Sequence, residues 1–167
     1  GNAGNITAYW KGYNEYFADG ISSKKPAMWG FQAAGAAPLV LGHPVENPET
    51  IATAIRIGKP ASWNQAIAAR DESAGLIDSV TDEEILAAYR ILSAHEGIFC
   101  EPSSAAGLAG LIKYKAAGKL PRGKRIVITC TGNGLKDIPW ALEGAKDPVS
   151  VPVNADIAAQ ALGLSKA

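Results

Sequence analysis

The sequence predicts an α/β fold: a mainly parallel sheet with helices on its faces. Three observations carry this. Apolar residues recur at helical spacing in several stretches, one of them opened by a capping box. Lys124–Cys130 (KRIVITC) is apolar, β-branched and undivided, as a strand buried on both faces should be. Short apolar runs alternate with helical stretches along the chain, the order that parallel layered domains require.

Taken in order, residues 6–18 place Ile6, Tyr9, Trp10, Tyr13, Tyr16 and Phe17 on one helical face, and Gly20 stops that helix. Ala27–Ala34 reads as a short buried strand, and Gly35–Gly42 as a loop of small residues. Pro48–Ile57 is helical or turn-like and closes at Gly58-Lys59-Pro60. Ser62 can cap a short helix through Arg70. Thr81-Asp82-Glu83-Glu84 is the capping box; its helix carries Ile85, Leu86, Tyr89 and Leu92 inward and ends near Gly97. Ile98–Cys100 reads as a short strand. Ser103 or Ser104 then caps a helix with Leu108, Leu111 and Ile112 inward and Gly118 as its stop. After the Lys124–Cys130 strand, a short helix is expected around Ala155–Leu162.

The 167 residues suit one main domain, expected over 1–148, with a tail over 149–167 joined through Asp147–Pro152. The composition, 47% apolar and 19% charged, is that of an ordinary globular chain. Lys plus Arg and Asp plus Glu balance at 16 each, which gives no footprint for nucleic acid. The uncharged stretch Pro26–Gly42 holds two prolines and three glycines, which argues against a membrane span. Cys100 and Cys130 read as buried thiols of a reducing, cytoplasmic compartment, with a disulfide between them as the competing reading. No secretory leader is recognisable. A glycine-rich loop like the first five residues normally joins two elements, so a preceding segment is expected.

Two constellations can carry chemistry. Gly1-Asn2-Ala3-Gly4-Asn5 runs into the first helix. Glycines let the backbone approach a ligand closely, and the unpaired N–H groups of a first helical turn converge on one point at the positive end of the dipole. A phosphate fits such a cup without a basic side chain. An ordinary Gly/Asn turn capping a helix would have the same letters. Thr131-Gly132-Asn133-Gly134 follows the Lys124–Cys130 strand, at the edge where open α/β sheets bind ligands, and Thr131 can offer a hydroxyl to a flat cofactor. A plain strand-to-loop turn is the competing reading.

The runs GNAGNITAYWKGY, TIATAIRIGKPASW (Thr50–Trp63), EPSSAAG (101–107) and TGNGLKD (131–137) together resemble the bacterial threonine synthase family, in that family's order and near its spacing. The resemblance covers nearly the whole chain and fades after about Pro148. It implies the C-terminal part of a fold-type-II, tryptophan synthase β-like domain that binds pyridoxal 5'-phosphate (PLP). Gly1, Asn2, Ala3, Gly4 and Asn5 would hold the cofactor phosphate through backbone N–H groups, and Asn2 would also touch the substrate phosphate. Thr131 would hydrogen-bond the pyridine nitrogen, and Ala54 with its neighbours would lie against the ring. The implied reaction converts O-phospho-L-homoserine and water to L-threonine and phosphate. The family's Schiff-base lysine lies upstream of the phosphate loop, so no catalytic residue is expected in this chain, and the chain alone is expected to be inactive. The upstream half of the enzyme is the expected partner, and relatives suggest a homodimer. A serine/threonine dehydratase of the same fold is one alternative. A non-catalytic binding half of a split enzyme is another.

Other features carry less. Glu101-Pro102-Ser103-Ser104 could approach the site, but a helix start explains it better. Gly118–Arg125 nearly spells a nucleotide-binding phosphate loop, yet ends in Arg and precedes a strand. His43 and His95 lack partners at ligand spacing, so no metal is expected. Ser23-Lys24-Lys25 reads as a solvated surface loop.

Overall fold

The computed structural model describes residues 1–143 and 147–164. Residues 144–146, at the close of the expected main domain, and 165–167, at the end of the expected tail, lie outside the described residues.

The chain runs α1 (Gly4–Ala18), β1 (Trp29–Ala33), α2 (Pro38–Leu41), α3 (Trp63–Glu72), β2 (Leu76–Val80), α4 (Asp82–Glu96), α5 (Pro102–Ala116), α6 (Ile138–Leu142) and α7 (Ala155–Ala161), with 3-10 turns at Ala34–Ala36, Thr53–Ile55 and Gly134–Asp137. β1 and β2 pair in parallel, with Trp29 opposite Leu76 and Ala33 opposite Val80. Alternate residues of β1 face opposite layers. A Cβ built on Gly30 would meet Ile6 of α1 at 3.6 Å, whereas the next residue, Phe31, lies against Gly110 of α5. A Cβ at Gly110 would fall 2.3 Å from the Phe31 ring, so only glycine lets α5 settle this closely on the strand. The sheet is therefore sandwiched between helices. α4 packs on α5, α5 on both strands, and α1 on α3. The main core gathers Ala33, Val80, Ile85, Ala88, Leu92, Cys100, Ala105 and Ala109, and a smaller cluster holds Trp10, Met28 and Ala69.

Several expectations hold. The capping box forms as written: Thr81 Oγ1 accepts from the Glu84 N–H at 3.2 Å, and Glu84 Oε2 accepts from the Thr81 N–H at 2.8 Å. Gly97 ends α4 in the left-handed region, φ 66°. α1 forms, although it buries only Trp10 fully; Tyr16 and Phe17 are 56% and 47% exposed. Trp10 Nε1 donates to Glu72 of α3 at 2.6 Å, which ties the two helices.

Others are corrected. Lys124–Cys130 is not a strand: it makes no ladder, and Val127 is 80% exposed. Its letters suit a strand, but a strand exists only through a partner, and among the described residues no segment pairs with it. Ile98–Cys100 contributes only one isolated antiparallel bridge, Cys100 to Asn133. The sheet that does form uses Leu76–Val80, a segment that does not read as a strand because Asp78 and Ser79 interrupt its apolar run. Lys113 of α5 compensates the charge, its Nζ lying 3.0 Å from Asp78 Oδ2. Gly35–Gly42 is not all loop. The Gln32 side chain, 4% exposed, accepts from the Leu39 and Val40 N–H groups and starts α2. Of Pro48–Ile57 only Thr53–Ile55 turns. Neither Ser103 nor Ser104 caps α5, which begins with Glu101 at the cap and Pro102 in its first turn; nor does the Ser62 side chain cap α3. Among the described residues no helix is long and apolar enough to cross a membrane, and no cluster of His, Cys, Asp or Glu could hold a metal.

Candidate functional site

α1 begins abruptly. Ala3 sits in the left-handed region, φ 60° and ψ 18°, turning the Gly1–Asn5 loop into the helix at Gly4. No side chain caps the first turn, and no acidic residue stands in it. A Cβ at Gly4 would meet nothing within 4 Å, so the flank of the helix start is open there. This is the donor set an anionic oxygen group needs: converging backbone N–H groups, a favourable dipole and no competing carboxylate.

The loop is held from behind. Asn2 Oδ1 accepts from the Ala61 N–H at 3.2 Å, and the Asn2 carbonyl accepts from the Ser62 N–H at 3.1 Å. The Asn2 carboxamide oxygen is thus committed to the 61–62 turn, and only its NH2 group can reach a ligand. Gly1 touches the Thr53–Ile55 turn; a Cβ there would fall 3.2 Å from the Ala54 carbonyl oxygen. A cavity of about 90 Å³ beside the loop is lined by Gly1, Ala3, Ile6, Gly30, Phe31 and Gln32, among others.

From Ala54 the contacts continue. The Ala54 N–H donates to Ser103 Oγ at 3.2 Å. In the same turn of α5, Ser104 Oγ accepts from the Gly132 N–H at 2.9 Å and lies 3.4 Å from Thr131 Oγ1. When Ser104 donates to Thr131, the Thr131 proton is left for an acceptor in front of it. The 131–134 loop is pinned further: the Glu101 N–H donates to the Gly132 carbonyl at 2.9 Å. A Cβ at Gly132 would fall 1.7 Å from Glu101 Oε1, and Glu101 is only 4% exposed, so that close approach requires glycine.

The Thr50–Ile55 segment is fixed by two carboxylates. Asp82 accepts from Thr50 Oγ1 at 2.5 Å and from the Ile51 N–H at 3.1 Å, while Asp137 Oδ2 accepts from Thr53 Oγ1 at 3.0 Å. One continuous path therefore runs from the α1 cup through Ala54, Ser103 and Ser104 to Thr131. Gly1 and Thr131 stand at its two ends, and Asn2, Ala3, Gly4 and Asn5 at the cup itself. Sequence reading misses Ser103, Ser104, Thr53 and Asp137. The signal for Ser103 and Ser104 is present in EPSS, which the sequence reading weighs as a site approach and sets aside in favour of a helix start.

The remaining candidates stay outside the path. Lys25 packs its Nζ over Trp10 and Phe17, 5.0 and 5.3 Å from the ring centres, and donates to Asn14 at 2.9 Å. The Cys100 thiol is pushed up to about 11, first by burial and then by its neighbour Cys130, so it is no nucleophile at neutral pH. A second cavity of about 300 Å³, lined by Tyr89, Arg90, Phe99 and Trp140 among others, includes none of the path residues.

A family model described as "Pyridoxal-phosphate dependent enzyme" matches residues 1–132. Proteins named threonine synthase are similar along almost all of the chain. That of Mycobacterium leprae is 58% identical over 98% of this chain and 46% of its own length. That of Synechocystis is 53% identical over 98% and 43%, and that of Methanocaldococcus jannaschii 44% identical over 94% and 41%. The chain thus spans less than half the length of these relatives. Among solved structures, a threonine deaminase from an organism abbreviated "T.th." superposes with a TM-score of 0.56 at 23% identity, covering 76% of this chain and 48% of that one. That likeness shows the fold.

Proposed function

Because the chain belongs to the pyridoxal-phosphate dependent enzyme family, we propose that it is the C-terminal part of a threonine synthase, whose parent converts O-phospho-L-homoserine and water to L-threonine and phosphate, a carbon–oxygen lyase reaction on a phosphate ester. The observation that carries the cofactor reading is the contact path from the uncapped α1 N-terminus to Thr131. The substrate reading is supported by relatives named threonine synthase, 44–58% identical over at least 94% of the chain.

In this reading Gly1, Asn2, Ala3, Gly4 and Asn5 hold the PLP phosphate with main-chain N–H groups. The Asn2 NH2 group lies in reach of the substrate phosphate, since its oxygen serves the 61–62 turn. Ala54 presents a small side chain to one face of the ring, where a larger one would tilt it. Thr131 donates its hydroxyl to the ring nitrogen. A hydroxyl holds its proton far more tightly than a pyridinium does, so Thr131 orients the ring and leaves the nitrogen largely unprotonated. When bound, PLP supplies a moderate electron sink suited to elimination and replacement. No residue of this chain is assigned the covalent link to PLP; that lysine belongs to an upstream segment, which is also the proposed partner. Every residue with a role lies within 1–148, and 149–167 is assigned none. A cytoplasmic homodimer completes the proposal.

The fold likeness to a threonine deaminase keeps one second reading, a serine/threonine dehydratase. Assay of the full-length gene product on phosphohomoserine and on threonine separates the two. Threonine and inorganic phosphate from phosphohomoserine are expected. Pyruvate or oxobutyrate as the main product, without threonine, overturns the proposal.

A further inference from the structure

Asp137 is a buried carboxylate whose hydrogen-bond partner comes from a distant part of the chain. It ends the 3-10 turn Gly134–Asp137 that follows Thr131, and it is 7% exposed. Among the described residues it takes part in no ion pair; the acidic partners there are Glu15, Glu49, Asp71, Asp78 and Glu143. Burying a carboxylate without a cation is costly, so the hydrogen bond it accepts matters more than one at the surface. Its partner is Thr53 Oγ1, at 3.0 Å and 84 residues away in sequence. Thr53 immediately precedes Ala54.

Resting on the cofactor site proposed above, we propose that Asp137 is a positioning residue: through Thr53 it locks the turn that bears Ala54 to the loop that bears Thr131, and so fixes the spacing between the group facing the ring and the group holding its nitrogen. The two loops have a second link through α5, by way of Ser103 and Ser104. That link sets their separation along the helix start, whereas the Thr53–Asp137 bond closes the frame and prevents the 53–55 turn from pivoting about Ser103. A hydroxyl-to-carboxylate bond suits this role, because a charged acceptor holds a neutral donor more tightly than another hydroxyl would.

The test uses the full-length holoenzyme and the variants Thr53→Val, Thr53→Ser and Asp137→Asn. Three readouts are taken: kcat and KM on phosphohomoserine, visible circular dichroism per bound PLP, and thermal midpoints with and without PLP. Loss of the bond is expected to lower kcat about tenfold or more while KM moves less, since small misplacement of a reacting group acts on the chemical step. The visible dichroism, which reports how asymmetrically the ring is held, should fall in Thr53→Val and recover in Thr53→Ser. Should Asp137→Asn fail to fold, the Thr53 pair decides alone. A Thr53→Val enzyme with wild-type kcat and dichroism but a lowered thermal midpoint would show a merely structural bond and overturn the inference. A wild-type protein that binds no PLP removes the site reading and this inference together.

Discussion

The Ala54 N–H and Ser103 Oγ lie 3.2 Å apart, joining a 3-10 turn to the first turn of a helix 49 residues further along the chain. Gly1 lies against the carbonyl side of Ala54, so this one peptide is held between the α1 cup and α5. Replacing Ser103 with Ala removes the acceptor. Water can reach the exposed Ala54 N–H, so the loss is that of an ordinary exchanged hydrogen bond, about 0.5–1.5 kcal/mol. The full-length Ser103→Ala enzyme should bind PLP several-fold more weakly, measured by equilibrium titration of the visible band. An unchanged dissociation constant would detach Ser103 from the site.

Ser104 has a different weight. Its Oγ accepts from the N–H of Gly132, a buried residue, and Ser104 as a residue is 8% exposed. In Ser104→Ala that N–H is orphaned away from water. The cost should be about 1–3 kcal/mol in stability, read from urea unfolding. Because Thr131 also loses its 3.4 Å neighbour, the visible spectrum of bound PLP should change as well. Loss of stability with an unaltered spectrum would mean that Ser104 supports the loop alone.

A pH dependence follows from Asp78. Burial pushes its carboxyl up, but the Ser79 N–H, Lys113 and the Tyr114 hydroxyl together hold it below the ordinary carboxylate range. A depressed folded value means stability that is present above the unfolded value, about 4, and is lost as pH falls through the folded one. Asp78→Asn should therefore be less stable than wild type near neutrality. The gap between the two should narrow on acidification below about pH 4. Parallel stability curves down to about pH 2 would show that the Lys113 contact contributes nothing.

How much of this is legible in the letters depends on where the stabilising partner lies. The capping box of α4 is local, and Thr81 and Glu84 meet three residues apart. The αL stop at Gly97 is equally local. β2 is illegible because Asp78 looks wrong for a buried strand until Lys113, 35 residues away, is brought beside it. Lys124–Cys130 fails in the opposite direction: its letters suit a strand, but pairing is a property of two segments, and among the described residues no segment pairs with it. The α1 cup is legible because its chemistry is in the backbone of five consecutive residues. Thr53 and Asp137 are not, since 84 residues separate them and neither stands out alone.

The assignment of the covalent lysine to an upstream segment can be tested on this polypeptide directly. None of the contacts from Gly1 through Ala54, Ser103 and Ser104 to Thr131 involves a lysine. Lys25 is held by Asn14 between the Trp10 and Phe17 rings, and Lys113 by Asp78 and the Ser79 carbonyl. The cup alone offers hydrogen bonds to a charged acceptor worth roughly 1.5–3 kcal/mol each, against which stands the lost freedom of the bound cofactor. Weak, reversible occupancy is the expected result. Incubation of the 167-residue chain with PLP, borohydride reduction and peptide mapping should give only scattered surface labelling, with no threonine formed from phosphohomoserine. Stoichiometric labelling of one lysine together with turnover would place the covalent lysine in this chain, and the division of labour between the two halves would have to be redrawn.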